Sequence, residues 1–378
     1  MQMGMSDISS SHKQRYSNIE LLRIFSIIAI ISYHIVFHNN WWFVEGTGDW
    51  GNIFVPKEFT IGVLTLQSFL PLGVTAVNIF VLITGFFLIN STKIKVEKCL
   101  KIYIQMFFYS VLIALIFLLF HDEILTLESI IVIVTPITHN RWWFLSTYLL
   151  LLILSPFINI IISKVNEVKM ASLLVFFIII WFTIPMITNY SYQGNELWWF
   201  VIVYTIGGII RKRSDCYKKR SSVYFLYAII VYSITVGMIV LFDFYNPTLF
   251  EFNHIQTIQY RNSIFTLLIA IFIFLGFKNI EIKENRVINY IASLTLGVYI
   301  IHEHYLVVEH IFKLEWVNSC STVLEILTTI IILTLAEYSI CLMIETVRKT
   351  IFDNYILKKI TNSIDIQVVD NSNNLDLH

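Results

Sequence analysis

Apolar runs long enough to cross a bilayer recur along most of this chain, and they restrict its fold more than any other feature. A helix needs about 20 apolar residues to span the hydrocarbon core. The 378-residue sequence offers ten segments near that length, at about 19–38, 66–90, 99–120, 142–162, 170–188, 194–210, 222–242, 259–277, 287–308 and 319–346. The sixth and eighth have the shortest apolar cores. One further run, 124–138, is shorter, carries Glu128 and Pro136, and reads as interfacial or re-entrant. Apolar residues make up 57% of the chain and charged residues 14%, against about 45–50% and about 25% in soluble domains. So few charges cannot cover a water-facing surface. A soluble enzyme, a coiled coil and a secreted disulfide scaffold are excluded. The formal net charge is zero, which gives no electrostatic reason to expect a nucleic-acid partner. Cys99, Cys216, Cys320 and Cys341 are scattered without a CxxC pair, so neither a zinc framework nor disulfides are expected.

The expected fold is all-α, a polytopic membrane protein of about ten helices with both termini cytoplasmic. Basic residues support that topology, because they concentrate on the inner side of a membrane. With the N-terminus inside, only Lys57, Arg141, Arg261 and Lys313 fall outside, leaving 22 of the 26 basic residues inside. Letting 124–138 span would invert everything after it and destroy this asymmetry. Residues 1–18 read as a cytoplasmic tail rather than a signal peptide, since no small-x-small cleavage site follows the first apolar run. Residues 351–378 read as a second cytoplasmic tail, disordered from Thr361. The pairs Trp41–Trp42, Trp142–Trp143 and Trp198–Trp199 fall at proposed outer boundaries and read as interface anchors. No internal repeat of the transporter kind is visible.

Ionisable residues within a membrane helix are costly and face the bundle interior or water. In the first helix Arg23 and His34 are eleven residues apart. Eleven steps turn about 1100°, within ~20° of three full turns, and rise about 16.5 Å. Both side chains therefore lie on one face, Arg23 near the inner mouth and His34 deep in the outer half. A cation at the mouth suits an anionic donor, and an imidazole inside suits proton or acyl transfer. The plainer alternative has Arg23 snorkelling to lipid phosphates and His34 capping a helix. Glu20 lies one turn before Arg23, placed to pair with it or to favour the helix dipole. His34 and His38 are spaced i,i+4 like a metal pair, but no third ligand is evident, so no metal is expected.

"SNIELLRIFSIIAIISYH" (17–34) resembles the first-helix signature of the acyltransferase 3 family of integral-membrane acyltransferases. "AVNIFVLITGFFLI" (76–89) is similar to the family's second-helix motif, with Thr84-Gly85 where Ser-Gly is usual. "WWFLSTYLLLLILSPFIN" (142–159) and "TLGVYIIH" (295–302) are similar to its Trp-Phe-Leu…Ser-Pro-Phe and Gly-Val-Tyr-x-x-His segments. Gram-positive polysaccharide O-acetyltransferases look most similar. The family's Arg-x-x-Arg pair is represented here by Lys98 and Lys101, which keep the charge but lose the planar fork that grips phosphate. A basic run at an inner helix end is also what topology alone produces.

The resemblance implies a membrane acyltransferase domain over 19–350, multi-pass in the plasma membrane. It implies transfer of an acyl group, usually acetyl, from cytoplasmic acyl-CoA to a cell-surface polysaccharide or its lipid-linked precursor. Arg23, Lys98 and Lys101 would hold the donor phosphates. His34 would serve with Arg23 in catalysis, as general base or transient acyl carrier. Asn78, Tyr299 and His302 would line the substrate side, although Asn78 and Thr84 also suit helix–helix bonding. Glu303, His304, Glu309 and His310 read as a wet outer rim. Glu325 and Glu337, in the last helix, have no evident partner. The competing function is a polysaccharide exporter or lipid-sugar flippase, which needs no acyl-CoA.

Overall fold

A computed structural model describes residues 15–39, 61–120, 126–139, 141–184, 196–245, 262–312 and 322–352, with isolated positions 314, 317 and 320. Trp41, Trp42, Lys57, Arg261, Lys313 and nearly all of both tails lie outside the described residues. The expected all-helical architecture is observed. The helices are α1 Ser17–His38, α2 Ile61–Leu88, α3 Val96–Phe120, α4 Leu127–Val134, α5 Trp143–Lys164 and α6 Glu167–Ile178. They continue as α7 Glu196–Lys212, α8 Ser221–Tyr245, α9 Ile264–Lys278, α10 Arg286–Ala292, α11 Thr295–His302 and α12 Val323–Arg348. Among the described residues, six helices are long and apolar enough to cross a membrane, or seven if a bent pair counts as one span. That pair is Arg286–His302 with Tyr305–Phe312, bent by 66°. All ten segments marked in the sequence carry helix, but α6 and α9 are short, and α7 begins at Glu196 and ends at Lys212.

Local chemistry sets several helix ends. Asn285 caps α10 by accepting from the backbone N–H groups of Val287 and Ile288. Thr322 and Glu325 form a reciprocal capping box on α12, which gives Glu325 a structural role. Asn18 donates to the carbonyls of Phe277, Lys278 and Ile280 at the end of α9. Asn159 donates to Leu88 and Ser91 at the end of α2. Within α5, Pro156 has no N–H for the Leu152 carbonyl, and the Ser155 hydroxyl donates to it at 2.8 Å instead.

α2 is the hub, packed against α1, α7, α8, α9 and α12. Its tightest crossing is with α7. A Cβ on Gly85 would strike the Tyr204 carbonyl, and one on Gly207 would strike the Leu82 carbonyl. Such backbone-to-backbone approach is how membrane helices gain packing without a hydrophobic driving force. α4 is eight residues long, far short of a span. The Ser110 hydroxyl, about ten residues or ~15 Å from the end of α3, donates to the Ile133 carbonyl of α4. The segment thus reaches into the bundle, in line with a re-entrant piece.

The tryptophan expectation requires correction. Trp142 and Trp199 are each 1% exposed. Their indole N–H groups donate to the Ile300 carbonyl and to Asn78 Oδ1. An indole whose polar edge is satisfied by protein gains more from packing than from an interface, and among the described tryptophan side chains only Trp198 is exposed. Gly85→Leu is expected to force α2 and α7 apart and to cost about 1–3 kcal/mol or more. A lowered thermal midpoint of the purified protein in detergent would confirm this, and an unchanged midpoint would refute the crossing.

Candidate active site

The chemistry gathers where the C-terminal half of α1 meets the end of α11. His34 Nδ1 lies 2.9 Å from His302 Nε2 and 2.8 Å from Glu303 Oε2. His38, one turn further along α1, places Nε2 3.4 Å from the same carboxylate oxygen. The hydrogen-bond partners determine the tautomers. His302 Nδ1 is 3.0 Å from the Val298 carbonyl, which only accepts, so Nδ1 carries the proton and Nε2 of the neutral ring accepts. His34 Nδ1 then faces two acceptors and must donate. Its lone pair is left on Nε2, which has no hydrogen-bond partner among the described residues. An imidazole oriented by a carboxylate behind it, with its second nitrogen open, is the arrangement of a general base or nucleophile.

Burial separates the roles. The side chains of His34 and Glu303 are 13% and 14% exposed, whereas that of His302 is 0% exposed. His302 braces the site from behind. A small pocket of about 10 Å³, roughly the room one water needs, is lined by Glu303 with Ser110, Arg141, Trp142, His304 and Tyr305, among others. The rim expected at 303–310 divides. Glu309 and His310 are exposed, but Glu303 joins the site, and His304 is 3% exposed and caps the turn at Tyr305. Glu337, 5% exposed on α12, lies within electrostatic reach of Glu303.

A second polar cluster forms around Tyr148 on α5. Lys98 donates to the Tyr148 hydroxyl at 3.0 Å, and Thr84 lies 3.1 Å from the same oxygen. Arg23 also acts electrostatically on Tyr148, and it pairs with Glu20 at 3.5 Å. Arg23 and Lys98 therefore both act on Tyr148, Lys98 by direct contact and Arg23 through space. Lys101 does not join them: it pairs with Glu97 at 2.5 Å on the exposed side of α3. Asn78 is fully buried in its bond with Trp199, a link between α2 and α7.

Aromatic rings connect the two clusters. Tyr148 stacks on Phe144 at 5.7 Å, Phe144 meets Tyr299 edge-on at 5.5 Å, and Tyr299 meets His302 edge-on at 5.5 Å. Trp142 holds this row in place through its bond to Ile300 on α11. Sequence reasoning did not assign Glu303, Tyr148 or Phe144 to the site. Glu303 carried a signal, since it is ionisable and directly follows His302 in an apolar stretch. Tyr148 and Phe144 carried none that separated them from ordinary packing residues.

The comparison with family models now fits this geometry. Residues 16–343 match the acyltransferase domain model Acyl_transf_3, and the chain belongs to that family of membrane acyltransferases. No protein of curated function and no solved structure matches the chain. Two of the motif segments have a physical reason in the fold. Thr84-Gly85 combines the bond to Tyr148 with the close approach of α7. Gly297 leaves room for the Glu345 carboxylate, which a Cβ there would strike. Glu345 in turn accepts from Gln105, Tyr109 and Arg348, tying α3 to α12 behind α11.

Glu303→Gln removes the negative charge behind His34 while keeping the shape. It is expected to lower the acyl-transfer rate about 10²–10⁴-fold with little change in the apparent KM for the donor. A rate within a few-fold of wild type would refute the orienting role.

Proposed function

We propose that the protein is an O-acyltransferase of the plasma membrane that moves an acetyl group from acyl-CoA to a hydroxyl of a cell-surface polysaccharide or of its lipid-linked precursor. The observation that carries this reading is the contact of His34 Nδ1 with Glu303 and His302, which leaves Nε2 open. His34 Nε2 takes the proton of the acceptor hydroxyl as its oxygen attacks the thioester carbonyl. The new C–O bond forms, the C–S bond breaks, and the imidazolium returns the proton to the leaving thiolate. Glu303 stabilises the imidazolium while it lasts, as a fixed charge in a low-dielectric site does.

The donor binds with its phosphates at Arg23 and Lys98, the two cations that act on Tyr148. Lys98 is a point charge and does not impose the bidentate geometry of an arginine. The pantetheine arm follows the aromatic row from Tyr148 to His302. The choice of acetyl and of a polysaccharide acceptor rests on the motif resemblance. Arg141, over the Tyr305 ring at 4.1 Å, and Trp142 line the small polar pocket beside Glu303.

Membrane vesicles holding the wild type or His34→Ala at equal expression, given labelled acetyl-CoA, test the reading. Label should enter envelope polysaccharide only with the wild type. Transfer that survives the substitution would exclude His34 as base. The donor site has its own test. Lys98→Ala should raise the KM for acetyl-CoA about 10–100-fold, the worth of one charge-assisted contact. Lys101→Ala should leave it within a few-fold. The reverse order would overturn the assignment.

A further inference from the structure

We propose that His34, His38 and Glu303, with His302 beside them, form a binding site for a divalent transition metal of the zinc class, and that the bound metal switches transfer off. His34 and His38 sit one turn apart on α1, a spacing that suits a metal pair but needs a third ligand from elsewhere. The fold supplies it. Glu303, in the turn after α11, places Oε2 2.8 Å from His34 Nδ1 and 3.4 Å from His38 Nε2. One ligand atom from each of these three residues lies within 4.8 Å of the other two. His302 Nε2 stands 2.9 Å from His34 Nδ1 and 3.9 Å from Glu303 Oε2 as a fourth donor. Ligand atoms around tetrahedral zinc, at about 2.0–2.1 Å from the ion, stand about 3.3 Å apart. The separations from Glu303 Oε2, 2.8, 3.4 and 3.9 Å, bracket that value, and the His34–His38 pair, within 4.8 Å, closes by side-chain rotation.

Orientation points the same way. His302 donates through Nδ1 to the Val298 carbonyl. A metal-binding histidine is commonly held by such a bond from its other nitrogen. Imidazole nitrogens with one carboxylate suit zinc rather than calcium or magnesium, which take oxygen ligands. His34, His38 and Glu303 keep 13–14% of their side-chain surface exposed, so an ion can reach them.

The consequence for catalysis rests on His34 acting as the base; the binding itself does not. A metal on His34 Nδ1 takes the position of the proton there. The neutral ring then carries its one proton on Nε2 and has no lone pair for the acceptor hydroxyl. His38 bonds to Glu303 and makes no hydrogen bond to the open Nε2 of His34, so its loss removes a metal ligand without removing the base.

The test uses untagged protein purified in detergent. Zn²⁺ retained per chain is measured after gel filtration, and Co²⁺ is titrated while following the visible absorption of a tetrahedral site. Acetyl transfer is measured in parallel against buffered free Zn²⁺. One zinc per chain is expected, with transfer abolished by zinc and restored by a chelator. His38→Gln should weaken metal binding at least tenfold and shift the inhibitory zinc concentration by the same factor, with inhibition read relative to that variant's own metal-free rate. Absence of stoichiometric binding, or binding unchanged in His38→Gln, overturns the site. Zinc bound in a His38-dependent way that leaves transfer untouched overturns the switch and the role of His34 as base. A wild type that binds zinc but shows no metal-free transfer refutes the acetyltransferase reading and leaves the metal site standing.

Discussion

A carboxylate inside an apolar bundle has to be matched by donors, and Glu303 meets that requirement by drawing α1 onto the end of α11. The contact brings His34 within 2.8 Å of Glu303 Oε2 and within 2.9 Å of His302. Those contacts leave His34 one open nitrogen and a fixed ring plane. The backbone of α11 takes part as well, because the Val298 carbonyl determines which nitrogen of His302 accepts. The Glu303 carboxylate thus ties two helices together and, with the Val298 carbonyl, sets the tautomers of two histidines.

Polar contacts of this kind need helices close enough to make them. Gly85 and Gly207 let α2 and α7 touch through their backbones, and Gly73 makes room for Tyr33, the neighbour of His34. Gly297 does the same for Glu345, whose carboxylate anchors the far side of α11 through Tyr109, Gln105 and Arg348. The small residues and the buried acids therefore act together. The first permit the approach, and the second make it specific, since a buried carboxylate without its donors is expensive.

Much of this was legible in the sequence. Membrane-spanning length, the all-helical class and the shared face of Arg23 and His34 follow from composition and helix period alone. The family was legible too, because its motifs are short and ordered along the chain. The partners of those motifs were not. Lys98 and Lys101 look equivalent in "KVEKCLKIY", yet one reaches Tyr148 and the other pairs with Glu97. Trp142 and Trp199 look like interface anchors, yet their indoles bond to Ile300 and Asn78 in the interior.

The division has a physical cause. The sequence by itself determined what depends on a segment's own residues: the water-to-lipid preference of each run, the helix period, and the spacing of Arg23 from His34. Only the tertiary structure decided which side chains meet across helices. In a bundle, nearly every helix is apolar on all faces, so periodicity does not mark the inward one. Glu303 is 269 positions from His34 along the chain, and no local rule joins them. The packing of α1 against α11 does.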